Sequence, residues 1–380
     1  MLLFVLLTAC SSRPVVGSMS EDTSSPGGDL DSAADMVVES FTPPYMIRGL
    51  FGPMFLEPAE HDFDDPAEIR AMGFDTVGLA QYLLLSPAGI QMEMWSHDEI
   101  REIVSMYTDA GLGVSLTLSM GYTPTGSKDD WIWATNIPAQ GVDPTPLMET
   151  LGAYMVDLIP LARELGIYQL SVNEADLFLH ETHSDATPDF SKVSSWGQEL
   201  RSDMEAEGWG LSDDEQLIWK TGYGFVPFDS GSTPVGVDLD FSGYTGAGFS
   251  ITPSDDAWIE DPEEFGAQYR DMVERSLEHF ADAIPEGETW PSITEMGAWG
   301  CGCGFWNVED ASECERYWSE AHIQEVYSAV MDAVAAWNQR EELTYRGVFV
   351  MDSPTDSGQF GLSDSGAVQE TIRVGLEGLD

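Results

Sequence analysis

Residues 44–380 predict an α/β chain folded as a single (β/α)8 barrel. Eight short apolar runs alternate with longer amphipathic ones, and no repeat or second linker divides the segment. Parallel strands buried on both faces read as continuous apolar runs, and these do. A doubly wound open sheet is the alternative. It carries a glycine-rich phosphate loop after its first strand, and "RGLFGPMF" is not GxGxxG.

The elements follow in order. "YMIRGLFG" (45–52) reads as a strand, and "DPAEIRAMG" (65–73) as a helix ending at glycine. "FDTVGLAQYLLL" (74–85) is the second strand. The helix over 96–112 has Ser96 as N-cap and Ile100, Ile103, Val104 and Tyr107 on one face. "GVSLTLSMG" (113–121) is the third strand, and 144–166 is a long helix in which Pro160 is a candidate kink. "IYQLSVNE" (167–174) is the fourth strand, followed by a helix over 190–208. "EQLIWKTGYG" (215–224) and "VDLDFSGYTG" (237–246) are the fifth and sixth strands, with little helix between them. A helix over 261–284, a strand "PSITEMG" (291–297), a helix over 319–339, a strand "YRGVFVMD" (345–352) and a last helix over 365–379 complete the chain.

Charge narrows the partners. Asp and Glu total 67 against 15 Lys and Arg, a formal net charge of −52. Such a surface repels nucleic acid and anionic lipid, and it suits high salt, where self-repulsion is screened. No DxDxDG loop argues for calcium. His180 and His183 in "LHETH" form only an isolated pair, so neither a metal nor another cofactor is expected.

The N-terminus, "MLLFVLLTACSS", reads as an export signal over residues 1–10, closed by a lipobox-like Leu7-Thr8-Ala9-Cys10 in which Cys10 is the lipidation candidate. An ordinary signal peptide cut further on is the alternative. Residues 11–43, rich in Ser, Gly, Asp and Pro in their first thirty positions, read as a disordered tether. The expectation is an exported protein, a lipoprotein at the cell surface or in the periplasm and otherwise secreted, monomeric, touching a membrane only through its N-terminal lipid. Cys301, Cys303 and Cys314 cluster in "CGCGFWNVEDASEC". A local disulfide from Cys314 to Cys301 or Cys303 fits an oxidising compartment better than a zinc site does.

Two strands end in carboxylates. The fourth finishes "SVNEAD", with Asn173 and Glu174, and the seventh "SITEMG", with Glu295. In a barrel both ends lie on the C-terminal face, where the active sites of this fold are built. Two carboxylates flanking a glycosidic bond supply what its hydrolysis needs, one protonated to release the leaving oxygen and one ionised to meet the oxocarbenium-like centre. Asn173 is placed to hydrogen-bond a sugar hydroxyl. Aromatic platforms suit the apolar face of a pyranose, and Trp131, Trp133, Trp299 and Trp306 lie in loops on that face, with Trp95 after the second strand and Trp219 within the fifth. Arg48 is a candidate to bind substrate or to pair with a barrel carboxylate.

With these motifs the chain resembles the clan A glycoside hydrolases, retaining enzymes on a (β/α)8 barrel. Its rhythm in "GFDTVGLAQYLL", "DAGLGVSLTLSM" and "LGIYQLSVNEAD" looks most like family 113, the β-mannanase-like branch. The resemblance implies Glu174 as acid/base, Glu295 as nucleophile and a β-linked glycan as substrate, and it gives Tyr244 in "FSGYTG" as a hydrogen-bond partner of the nucleophile or a plain barrel-lining residue. The chain departs from the clan in two places. The eighth strand ends in Met351 and Asp352 where a Trp is common, and Ala175 and Asp176 follow Glu174 where a proline is common. A non-catalytic carbohydrate-binding protein on the same scaffold is the alternative.

Overall fold

A computed structural model describes residues 41–51, 65–86, 91–123, 125–127, 132–133, 145–176, 191–210, 212–221, 239–253, 259–285, 289–297, 319–341, 343–351 and 365–379. Residues 1–40, with Cys10 and most of the expected tether, lie outside them.

Eight parallel strands form the barrel: β1 (Ile47–Phe51), β2 (Thr76–Leu85), β3 (Gly113–Tyr122), β4 (Gln169–Asn173), β5 (Gln216–Thr221), β6 (Gly246–Ile251), β7 (Trp290–Met296) and β8 (Gly347–Met351). Each pairs with the next, and β1 pairs with β8 from Ile47↔Gly347 to Phe51↔Met351, so the sheet closes and leaves no edge. Two short antiparallel strands, Gln91–Glu93 and Ile132–Trp133, continue the sheet beside the far ends of β2 and β3. Seven helices are described: α1 (Pro66–Ala71), α2 (His97–Asp109), α3 (Thr145–Leu165), α4 (Ser191–Ala206), α5 (Pro262–Ala283), α6 (Glu320–Arg340) and α7 (Gly366–Glu377).

Helix starts are fixed chemically. Ser96 caps α2 and forms a capping box with Glu99, and Asp65 and Asp261 cap α1 and α5 just ahead of Pro66 and Pro262. α3 runs on through Pro160. The sixth strand departs from expectation. Residues 237–246 were the expected strand, but Phe241–Thr245 turn, with Gly243 at φ +81° and Tyr244 N–H donating to Phe241 O at 3.2 Å. The strand begins only at Gly246.

Alternate residues face two different cores. The larger lies between sheet and helices and includes Leu116, Leu118, Leu170, Val172, Leu217, Trp219, Ile293 and Val350. The smaller fills the barrel itself with Ile47, Phe51, Tyr82, Ile218, Trp290 and Phe349. Polar groups meet low in the barrel, where Ser115 donates to Gln169 at 2.5 Å and Gln169 donates to Gln216 at 2.9 Å. Tyr168, its ring tilted 42° to that of Phe41 with centroids 5.3 Å apart, closes the N-terminal end. Glycines make room for the interior rings: a Cβ on Gly49 would collide with Phe349, and one on Gly78 with Phe51.

The net charge of −52 has few basic partners to offset it. Described ion pairs such as Arg101–Glu164 and Arg373–Glu370 are solvent-exposed, and pairs of that kind are screened by water and contribute little. Self-repulsion therefore opposes folding at low salt, and the Debye length shrinks to about 3 Å at 1 M. Thermal unfolding monitored by circular dichroism should show Tm rising steadily from 0.05 to 2 M NaCl. A flat or falling Tm would show that repulsion is not the governing force. Gly78→Ala should destabilise the barrel by about 1–3 kcal/mol in urea unfolding, because the methyl group displaces Phe51. An unchanged midpoint would mean that the interior has slack there.

Candidate active site

β4, β5, β6 and β7 bring their last inward-facing residues together at the C-terminal mouth. Along β4, Gln169, Ser171 and Asn173 face inward. Asn173 is 3% exposed, and its Nδ2 donates to Ser119 Oγ on β3 at 3.3 Å. Its Oδ1 has no hydrogen-bond partner among the described residues. Glu174 follows, and its N–H donates to Lys220 O at 2.7 Å, carrying the β4–β5 ladder one step further.

Glu174 is the only non-glycine residue with positive φ among those described, at +52°. A left-handed backbone costs an L-residue about 1–2 kcal/mol. Here it turns the chain at the point where regular alternation would send the side chain outward with Val172. Asp176, two residues on, is fully buried and accepts a hydrogen bond from Thr221 Oγ1 at 2.7 Å.

Glu295 reaches the mouth by another irregularity. Along β6 and β7, Phe249 pairs with Ile293 but Ser250 pairs with Glu295, so Thr294 is an extra residue, and the register to β8 shifts at the same place. Straight alternation from Trp290 and Ser292 would point Glu295 at the helices. The bulge turns it into the barrel beside Ser250, whose Oγ donates to Glu295 Oε2 at 2.8 Å.

Lys220 on β5 completes the group. It is 1% exposed, its ammonium is paired with Glu295 Oε1, and its Nζ lies 4.0 Å from the ring centroid of Phe51. Tyr82 faces the same space from β2. Burial, then the negative charges of Glu295 and Glu174, push its hydroxyl well above the ordinary range, so it stays protonated. Glu174 is pushed up to about 8, first by loss of water around its carboxyl, then by the charge of Glu295 and least by Asp176, with Lys220 acting the other way. One carboxyl is thus surrounded so as to keep its proton near neutrality, while the other is in contact with a cation and a hydroxyl donor. That asymmetry is what acid/base work by a pair of carboxylates requires.

Two sequence candidates fall elsewhere. Tyr244 precedes β6, at the opposite end of the barrel, and donates to Gly197 O of α4 at 2.7 Å. The strand begins after Tyr244 instead of ending near it. Arg48 is the second residue of β1 and points outward, with its Nε donating to Leu376 O of α7 at 3.0 Å. Trp219 faces α4, edge-on to Trp196 and Tyr244, and Trp95 packs against the outer core. The Trp133 backbone lies in the short strand beside β3, without a described side chain. Trp131, Trp299, Trp306, Cys301, Cys303, Cys314, His180, His183 and Asp352 lie outside the described residues. Met351 ends β8, half-buried against the inner core. Lys220, Tyr82 and Ser250 are site residues that sequence reasoning missed. Among the described residues, no group of three or more His, Cys, Asp or Glu side chains could hold a metal ion, and no helix is long and apolar enough to cross a membrane.

The backbone at Glu174 gives a direct test. Glu174→Gly should be more stable than Glu174→Ala by about 1 kcal/mol in urea unfolding, since only glycine relieves the left-handed strain. Equal stability would mean that the turn relaxes at no cost.

No protein-family model matches the sequence, and no curated protein does. Solved structures do match. The family 113 β-mannanase from Alicyclobacillus acidocaldarius superposes with a TM-score of 0.53 at 11% identity, covering 90% of this chain and 99% of that one. The endo-1,4-β-mannanase from Rhizomucor miehei gives 0.54 at 11% identity, with 94% and 98% covered. The family 5 xyloglucanase from Paenibacillus pabuli gives 0.56 at 12% identity, with 88% and 99% covered. The chain therefore has the closed eight-stranded barrel fold of family 113 β-mannanases and other clan A glycoside hydrolases.

Proposed function

We propose that the protein is a retaining glycoside hydrolase acting on β-linked glycans, β-mannan among them, with Glu174 as general acid/base and Glu295 as nucleophile. The observation that carries this reading is the unequal environment of the two glutamates at the ends of β4 and β7. The folds of mannanases and a xyloglucanase support it at the level of scaffold. The same reading keeps the chain exported and monomeric, held to a membrane only by a lipid on Cys10, with no cofactor.

In the first half-reaction Glu295 attacks the anomeric carbon, and the glycosidic C–O bond breaks toward the leaving oxygen. That oxygen takes the proton of Glu174, leaving a glycosyl ester on Glu295 and a carboxylate on Glu174. In the second half, Glu174 takes a proton from water as the water oxygen attacks the same carbon. The ester bond breaks back to Glu295, and the two inversions give net retention. Asn173, whose buried Oδ1 has no hydrogen-bond partner among the described residues, would accept from a hydroxyl of the reacting sugar.

Glu174 must carry its proton at the start. Its folded-state value is raised, so the acid is present at lower pH and is lost as pH rises through about 8. The groups facing it are Glu295 from β7, Lys220 from β5, Tyr82 from β2 and Asp176 on its own segment. On β-mannan, xyloglucan and galactan, kcat/KM should fall on an alkaline limb near pH 8. Glu174→Gln should lower it by about 10²–10⁴-fold and abolish that limb, and Glu295→Gln should leave no measurable turnover. Glycan binding without turnover by the wild type, unchanged in Glu295→Gln, would replace this reading with that of a carbohydrate-binding protein on the same barrel.

A further inference from the structure

Lys128, Lys192 and Lys220 are the only lysines in 380 residues, and the last of them stands in the barrel mouth. Its ammonium meets Glu295 Oε1 on one side and the face of Phe51 on the other, while Ser250 holds Glu295 Oε2. A buried ion pair is a poor stabiliser. Desolvating two charges costs several kcal/mol per ion, and a well-packed apolar pair of the same volume does as well or better. Fold stability therefore does not account for this lysine in a chain that otherwise uses so few.

Both oxygens of Glu295 are engaged, so the plane of the carboxylate is fixed, yet each oxygen retains a free lone pair for attack. We propose that Lys220 is a positioning residue that acts through Glu295, holding its carboxylate in place for attack and assisting its departure when the glycosyl ester is hydrolysed. The inference rests on the hydrolase reading above.

The charge balance gives the direction of the effect. When Glu295 becomes an ester its negative charge is gone, and the Lys220 ammonium is left buried beside a neutral carbonyl oxygen. When water attacks the anomeric carbon, the ester bond breaks with its electron pair returning to Glu295, while the proton of the water goes to Glu174. The carboxylate that re-forms pairs again with Lys220. A fixed cation therefore favours the second half-reaction, because that is where the charge of Glu295 develops. The same cation lies among the groups around Glu174 and opposes their push, so its loss would raise that acid further.

The test uses the full-length protein with 2,4-dinitrophenyl β-mannoside, β-glucoside and β-galactoside, substrates whose leaving groups need no acid. Wild type should turn over at least one of them, and the matching 2-deoxy-2-fluoro sugar should label Glu295 by mass spectrometry. Lys220→Met should slow ester hydrolysis by about 10- to 100-fold. It should give a burst of dinitrophenolate approaching one per enzyme and accumulate the glycosyl-enzyme. On a natural glycan its alkaline limb should move to higher pH. Lys220→Arg, which keeps the charge, should restore rapid release. Phe51→Leu removes only the ring beneath the ammonium and should show smaller changes in the same direction, so the question stays answerable if Lys220→Met does not fold. A loss of rate in Lys220→Met or Phe51→Leu with no burst, no displaced limb and no rescue by arginine would reduce Lys220 to packing and overturn the inference, leaving the hydrolase reading intact. A wild type that neither turns over nor is labelled would overturn the hydrolase reading, and this inference with it.

Discussion

Water is kept from the Lys220 ammonium, and that desolvation constrains everything around it. A lone cation inside a barrel is untenable, so a carboxylate must approach it, and β7 is bulged where Glu295 does so. The aromatic face of Phe51 lies beneath the charge, and Phe51 fits only because Gly78 has no side chain. A second carboxyl nearby, on Glu174, is then drawn toward its neutral form by burial and by the charge of Glu295. The site is thus one electrostatic unit spanning β1, β2, β4, β5, β6 and β7.

Both glutamates reach the mouth through departures from regular geometry. Glu174 is turned by a left-handed backbone, and Glu295 by an extra residue in its strand. A regular strand offers one inward position every second residue, which is too coarse to aim two carboxyls from different strands at one point. Local irregularity at the strand ends supplies the missing adjustment, while the regular halves of the same strands close the barrel and bury its floor. Stability and chemistry are in this way separated along each strand.

Much of this was legible in the sequence. The helices follow their capping residues and apolar faces, and the strands, except the sixth, follow their apolar runs. "GAGFSI" carries two glycines, which weaken its strand character, and those glycines admit Trp290 and the β7 side chains. Glu174 and Glu295 showed themselves as carboxylates that end apolar runs. The direction of a side chain did not, since a slip of one residue reverses every facing. Arg48 was therefore credited with a place in the barrel it does not take, and Tyr244 was assigned to the wrong end of its strand. Tyr82 is hidden in the uniform run "GLAQYLLL". Lys220 was readable in principle, because a lysine closing "QLIWK" in so lysine-poor a chain calls for a partner.

β2 and β3 are ten residues long, against five for β4 and β8. Val172 pairs with Leu118, so β3 continues through Tyr122, about 10 Å beyond the end of β4 at roughly 3.3 Å per residue. With the two short antiparallel strands beside their tips, β2 and β3 form a parapet along one rim, across the ring from β7. Among the described residues the strand tips are therefore of unequal height around the ring. Whatever is laid across these tips in two opposite senses meets two different backbone profiles, so the strands alone are not symmetric under its reversal.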